Sequence, residues 1–150
     1  MRLLFIAAGR SPTARNWIQY WTGHGDEVHL ASTFAAAPPD GLAAYIFLPA
    51  ALSGLKGAPA TPARKKPGGM WGARLVGVRT LARQWLGPLT LPGAARRLSA
   101  LAASIQPDLV HAMRIPYEGM LAALAELSAP LLVSVWGNDF TLHAASNPWM

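Results

Sequence analysis

The sequence predicts an α/β domain built on a doubly wound parallel sheet, and three observations carry that prediction. Short, continuously apolar runs such as "RLLFIAA" at residues 2 to 8 have the character of strands buried on both faces of a parallel sheet. They alternate with stretches whose apolar residues recur every three or four positions, the period of a helix packed on one side. Gly, Pro, Ser and Asp punctuate the borders between the two kinds of segment. Strands that alternate with helices imply parallel βαβ units. A chain of 150 residues is long enough for one compact domain with a real core.

The first strand ends at Gly9, and Ser11-Pro12 then offers an N-cap followed by proline at the first helical position. Ala14, Trp17, Ile18 and Trp21 fall on one face of the helix that follows, and Gly23 and Gly25 end it. "EVHLAS" (27 to 32) reads as a second strand with Val28 and Leu30 on one face, and "LAAYIFL" (42 to 48) as a third. A basic stretch at 49 to 97 follows. Its first part, to Gly72, is a Pro/Gly-rich loop; its second is an amphipathic helix with Leu75, Val78, Ala82, Trp85 and Leu86 sharing a face. A further helix carries Leu98, Leu101, Ala102 and Ile105 at core spacing.

After Pro107-Asp108, "LVHA" (109 to 112) is a fourth strand. Pro116 is expected to open a helix that buries Met120, Leu121, Leu124 and Leu127, with Glu118 in its first turn facing the helix dipole. Pro130 stops that helix, and "LLVSVWGNDF" (131 to 140) begins as a fifth, buried strand. Residues 140 to 147 read as the start of one more helix. The final "NPWM" closes no layer, so the domain is expected to be incomplete.

Composition narrows the function classes. Hydrophobic residues make up 52% and charged residues 13%, which excludes a largely disordered chain. There is no cysteine, so a disulfide framework and a Cys-ligated zinc site are excluded, and a reducing, intracellular setting fits. The longest apolar run, Leu42 to Leu52, is broken by Pro49 and is shorter than the ~20 residues a membrane span requires. The net charge of +6 is concentrated: no acidic residue lies between Asp40 and Asp108, a window that holds Arg64, Lys65, Lys66, Arg74, Arg79 and Arg83 among its cations. Such a patch draws anions, whether phospholipid, nucleic acid or a phosphorylated substrate.

In an open parallel sheet, ligands bind beyond the carboxyl ends of the strands, near the reversal of strand order. Three loops are placed there. "AAGRSPT" offers Gly9, Arg10 and Ser11 at a helix start, where free amides attract anions; the alternative is a tight turn using the freedom of Gly9. "HAMRIPYEG" offers His111, Arg114, Tyr117 and Glu118, with His111 read as a hydrogen-bonded core residue or a base, and Arg114 suited to an anionic group. "WGNDF" offers Trp136, Gly137, Asn138 and Asp139, with Asp139 as a helix cap or a hydroxyl acceptor and Trp136 as core or as a wall for a sugar face. The four His residues lack metal-ligand spacing with carboxylates, so no metal site is expected, and no G-x-S-x-G elbow is present.

"RNWIQYWTGHGDEVHLAS", "QPDLVHAMRIPYEG" and "PLLVSVWGNDF", in that order and spacing, resemble the N-terminal domain of family 4 glycosyltransferases over most of residues 2 to 143. The resemblance implies a Rossmann-like fold that forms the N-terminal, acceptor-side half of a two-domain GT-B architecture. It implies glycosyl transfer with retention of configuration, from a nucleotide-sugar co-substrate to an acceptor hydroxyl, with no cofactor and no required metal. The acceptor would be a glycan, a lipid or a small molecule. Gly9 and its loop would then face the donor phosphates and the acceptor. Arg114, Tyr117, Glu118, Trp136, Gly137, Asn138 and Asp139 would line the acceptor side.

Two departures limit what is carried over. Many relatives carry His where this chain has Trp136, and an indole accepts no proton, so no catalytic residue is assigned. The donor-binding domain with its paired-Glu motif lies outside these residues, so the chain alone is expected to be inactive. The expected location is cytoplasmic, and two readings of the basic segment stay open: a loop and core-facing helix with ordinary solvated charges, or, as the resemblance implies, an element that reaches an anionic membrane surface and makes the protein peripheral at the inner face of the membrane. Nucleic acid is not the expected partner. The competing expectation is a stand-alone binding module whose basic patch meets anionic membrane or nucleic acid.

Overall fold

The computed structural model describes residues 1–51, 53 and 85–143. Five strands, β1 (Arg2–Ala7), β2 (Glu27–Ser32), β3 (Ala44–Phe47), β4 (Leu109–Ala112) and β5 (Leu131–Val133), form one sheet in the order β3-β2-β1-β4-β5. Every pairing is parallel. The central strand carries the most apolar run, as a strand covered on both faces must. Leu3, Phe5 and Ala7 of β1 point to one face, Leu4 and Ile6 to the other, and all five are buried.

Each face has its own helices. Helix α1 (Pro12–Gly23) packs Ala14 and Ile18 on Leu3, Phe5, Val28 and Leu30. Ser11 caps it, its hydroxyl accepting from the Ala14 amide at 3.5 Å. Helices α2 (Leu91–Ile105) and α3 (Met120–Leu124) cover the opposite face, where Leu91, Leu98 and Leu121 meet Leu4, Ile6 and Val110. This is the doubly wound, Rossmann-like arrangement that alternating strands and helices predict, with helices on both faces of the sheet.

Several expectations are corrected. Trp17 is 45% exposed rather than on the packed face. At about 100° per residue it lies some 60° from the centre of the Ala14–Ile18–Trp21 stripe, and it stacks on Tyr20 instead. Helix α2 begins two turns before Leu98, burying Leu91, Ala94 and Ala95 as well. No helix starts at Pro116: residues Ile115–Gly119 form a wide irregular turn, and α3 begins only at Met120. Leu124, expected on its packed face, is 54% exposed.

Strand β5 is not a buried strand. It lies at the sheet edge among the described residues, so Leu131 and Leu132 keep 40% and 48% of their surface. From residues 140 to 147, the described part continues a wide turn over Asp139–His143. Most of the amphipathic segment lies outside the described residues, including Arg64, Lys65, Lys66, Arg74, Arg79 and Arg83. Of its apolar face, Trp85 and Leu86 are described, and both are exposed.

Candidate functional site

The sheet order places the reversal between β1 and β4, adjacent strands whose carboxyl ends lead into "GRS" and "MRIPYEG". The chain leaves β1 toward β2 on one side and returns to β4 on the other. The loops must diverge there, and the gap between them is the crevice. Strand β5 delivers "WGND" beside β4.

An ion pair with a fully enclosed carboxylate and a partly exposed guanidinium joins the β4 and β5 loops. The Arg114 guanidinium donates to Asp139 Oδ1 through Nε at 3.1 Å and Nη2 at 2.7 Å, and Nη2 also reaches Asn138 Oδ1 at 3.2 Å. Asp139 Oδ2 accepts from the amides of Trp136 at 3.0 Å and Ile115 at 3.3 Å. The Asp139 amide donates back to the Trp136 carbonyl at 2.8 Å, closing a tight turn over 136–139. The Asp139 side chain is 0% exposed. Burial alone would push its carboxyl pKa up, but the hydrogen bonds from Arg114 and the two amides outweigh that and hold it below the ordinary carboxylate range. With both oxygens engaged, Asp139 positions the turn rather than meeting a substrate hydroxyl. Above that clamp the Arg114 guanidinium lies 5.2 Å from the centroid of the half-buried Trp136 ring, with Gly137 and Asn138 exposed beside it. A β-carbon at Gly137 would meet no described atom within 4 Å, so this backbone faces open space.

The turn between β4 and α3 is held on its other side too. Thr33, just past β2, donates to Glu118 Oε1 at 2.7 Å, and Glu118 is 4% exposed. Glu118 is therefore an internal acceptor, not a surface carboxylate opposite a helix dipole. Between the two anchors, Tyr117 sits at φ 64° and ψ −55°, outside the regions a side-chain-bearing residue prefers, a cost of ~1–3 kcal/mol.

The loop after β1 is ordered differently from either reading of the sequence. The Gly9 amide donates to Ser32 Oγ at 3.0 Å, so it is committed within the protein and is not one of the groups open to a phosphate. An added β-carbon at Gly9 would lie 2.6 Å from that same oxygen. Close approach of Ser32, not backbone freedom, is what requires glycine there. Arg10 is exposed and lies flat on Phe34, 3.9 Å from the ring centroid. Ser11 is taken up in capping α1.

The predicted residues thus separate by exposure. Arg10, Ser11, Arg114, Trp136, Gly137 and Asn138 present surface at the carboxyl edge, while Gly9, Tyr117, Glu118 and Asp139 are buried and hold the others in place. The Arg114, Trp136, Asn138 and Asp139 side chains meet one another; the Gly9 loop shares the edge with them through the pairing of β1 with β4. Sequence reasoning missed Ser32, Thr33 and Phe34. The signal was available, because two hydroxyl residues at the carboxyl end of a strand beside β1 belong to the same edge.

His111 is a core residue. It is 5% exposed, lies 5.3 Å from Phe5 ring to ring, and its Nε2 is 2.8 Å from Ser134 Oγ. Burial lowers its pKa from the usual value near ~6.5. Below that pH the unfolded chain takes up a proton that the folded chain refuses, so His111 withdraws stability as pH falls from ~6.5 toward its folded value. His111→Gln is expected to flatten the fall in urea midpoint as pH drops below about 6.5. An unchanged slope would show that burial does not suppress its titration.

Among the described residues, no group of three or more His, Cys, Asp or Glu could hold a metal ion, and no helix is long and apolar enough to cross a membrane. A family model described as a glycosyl transferase 4-like domain matches residues 8–150. The chain belongs to that family. The match spans β2 to β5, helices α1 to α3 and the loops that follow β1, β4 and β5, and it agrees with the Rossmann-like sheet. No curated protein and no solved structure matches the chain. For this glycosyl transferase 4-like domain, the carboxyl edge at the β1/β4 reversal is therefore the place to look for chemistry.

Proposed function

We propose that this chain is the acceptor-binding half of a retaining glycosyltransferase. A nucleotide-sugar is held by a donor-binding domain, and an acceptor hydroxyl attacks its anomeric carbon in the cleft between the two. The observation that carries this reading is the Arg114–Asp139 clamp. It presents the half-buried Trp136 ring and the open Gly137–Asn138 backbone at the strand-order reversal of a glycosyl transferase 4-like domain. An indole face suits the apolar face of a sugar ring, and neighbouring amides and Asn138 suit its hydroxyls. Arg10, exposed on its Phe34 shelf beside the start of α1, supplies positive charge on the β1 side for an anionic group of donor or acceptor. Electrostatic support for the leaving nucleotide comes mostly from the donor-binding domain. The proposed setting is the cytoplasm, with the basic segment at the inner face of the membrane reaching a lipid-linked acceptor.

Nuclear magnetic resonance titration of the ¹⁵N-labelled chain tests this directly. A panel of mono- and disaccharides is expected to shift the Trp136 indole N–H and the amides of residues 114–119 and 136–139 saturably. UDP-glucose and GDP-mannose are expected to bind much more weakly and to undergo no turnover. If no saccharide moves these signals, the acceptor reading fails. Salt-sensitive binding to anionic vesicles or DNA in that case would favour a stand-alone binding module.

A further inference from the structure

We infer that Ser32, Thr33 and Phe34, the last residue of β2 and the two that follow it, are the positioning element of the cleft. Each makes a different connection. Ser32 Oγ accepts from the Gly9 amide at 3.0 Å and donates to the Phe34 carbonyl at 2.5 Å, which fixes the loop after β1 against the start of the β2 loop. The Phe34 ring carries the Arg10 guanidinium. Thr33 is tied to β1 through its amide and the Ala7 carbonyl at 2.9 Å. Its hydroxyl reaches Glu118, and its carbonyl accepts from Ser53 Oγ at 2.6 Å. One tripeptide therefore touches the loops that follow β1, β3 and β4. Ser32 and Thr33 are 0% and 1% exposed, so neither contacts a substrate; they act through the residues they hold.

The Thr33–Glu118 contact matters most. An apolar side chain of similar volume would fill the place of Glu118 without desolvating a carboxylate, so packing alone does not account for it. What the carboxylate adds is direction. Tyr117, in its strained positive-φ conformation, lies between Arg114 and Ile115, anchored to Asp139 on the β5 side, and Glu118, anchored to Thr33 on the β2 side. A residue in a sparsely populated conformation persists only where its surroundings determine it from both ends. Thr33 supplies one of those ends, and through it the placement of Arg114 and of the acceptor face.

The functional meaning of this element rests on the acceptor-half reading, and amide exchange tests it separately from that reading. In Thr33→Val, exchange at residues 117–120 is expected to be about tenfold faster, the loss of one buried hydrogen bond. Thr33→Ser, which keeps the hydroxyl, is expected to restore the wild-type rate. Equal rates at 117–120 in Thr33→Val, Thr33→Ser and wild type would overturn the inference, whatever happens in the strands. If Thr33→Val does not fold, Phe34→Leu reads the same element from its other end: Arg10 Nε–H exchange is expected to rise about threefold as the guanidinium loses its ring, and no rise would count against the inference. A maltose titration of the same samples separates the two ideas. Faster loop exchange together with no saccharide response in the wild type would keep the positioning element and remove the acceptor reading. A wild-type Trp136 response that is weakened in Thr33→Val and regained in Thr33→Ser supports both.

Discussion

Asp139→Ala is expected to destabilise the chain by about 3–4 kcal/mol, among the largest effects of any single side-chain truncation near the cleft. Its carboxylate is fully enclosed and serves four donors, two from Arg114 and one each from the Ile115 and Trp136 amides. Removing it leaves those amides without an acceptor and the guanidinium with Asn138 alone among these contacts. The loss stays in the lower part of the range for a broken buried pair because the Arg114 side chain is 25% exposed and can rehydrate. Arg114→Ala is expected to cost at least as much, since it strands the enclosed charge. A double-mutant cycle on urea midpoints is expected to return a coupling of roughly 2–3 kcal/mol. A coupling near zero would mean that the two residues are not a clamp.

Acid titration checks the same pair independently. The folded carboxyl of Asp139 titrates below its unfolded value of ~3.9, so the clamp stabilises fully above that value and is lost as pH falls through the folded pKa. Asp139→Ala should therefore be less sensitive than wild type to acidification below about pH 4.

Gly9→Ala is the second large effect, at about 2–3 kcal/mol. The new methyl would sit 2.6 Å from Ser32 Oγ and 3.3 Å from Ser32 Cβ. That hydroxyl cannot rotate away freely, because it accepts from the Gly9 amide and donates to the Phe34 carbonyl. Either the β1 loop moves or both hydrogen bonds break, and the start of α1 moves with it. Ser32→Ala alone is expected to cost about 1–2 kcal/mol for the buried amide left unpaired. The double variant should cost clearly less than the sum of the two, since removing the oxygen relieves the clash. Strict additivity would show that Gly9 is required for some reason other than its neighbour. The same comparison of Trp136 indole and residue 9–11 amide shifts in Gly9→Ala reports whether the two sides of the crevice move independently.

Local sequence was informative wherever a residue's role is set by its near neighbours. The apolar run of β1, the Ser11-Pro12 helix start, the glycines at and just past the end of α1 and the alternation of strand and helix each specify their element through period or capping. Those elements fall in the structure close to where the sequence places them. The order of the "EVHLAS", "PDLVHA" and "SVWGNDF" segments carried the family as well, because that pattern follows the loops of one edge. Pro116 shows where local reading breaks down. Proline followed by glutamate has the form of a helix start, yet Asp139 and Thr33 hold the segment from either side and delay the helix to Met120.

What this sequence determined by itself is the fold class, the succession of most elements and the edge at which the loops gather, since each depends on local period, capping and the handedness of βαβ units. Only the tertiary structure decided what each loop residue does there. Asp139 became the acceptor of a clamp because Arg114, distant in sequence, arrives on the loop that follows the neighbouring strand. Glycine at position 9 is required because Ser32 closes on it from β2, and Glu118 turned inward because Thr33 waits at the end of that same strand. Hydrogen bonds between strands that are neighbours in space but not in sequence leave no periodic trace, so the sequence pointed to Gly9, Arg114, Glu118 and Asp139 but not to the partner that fixes the role of each.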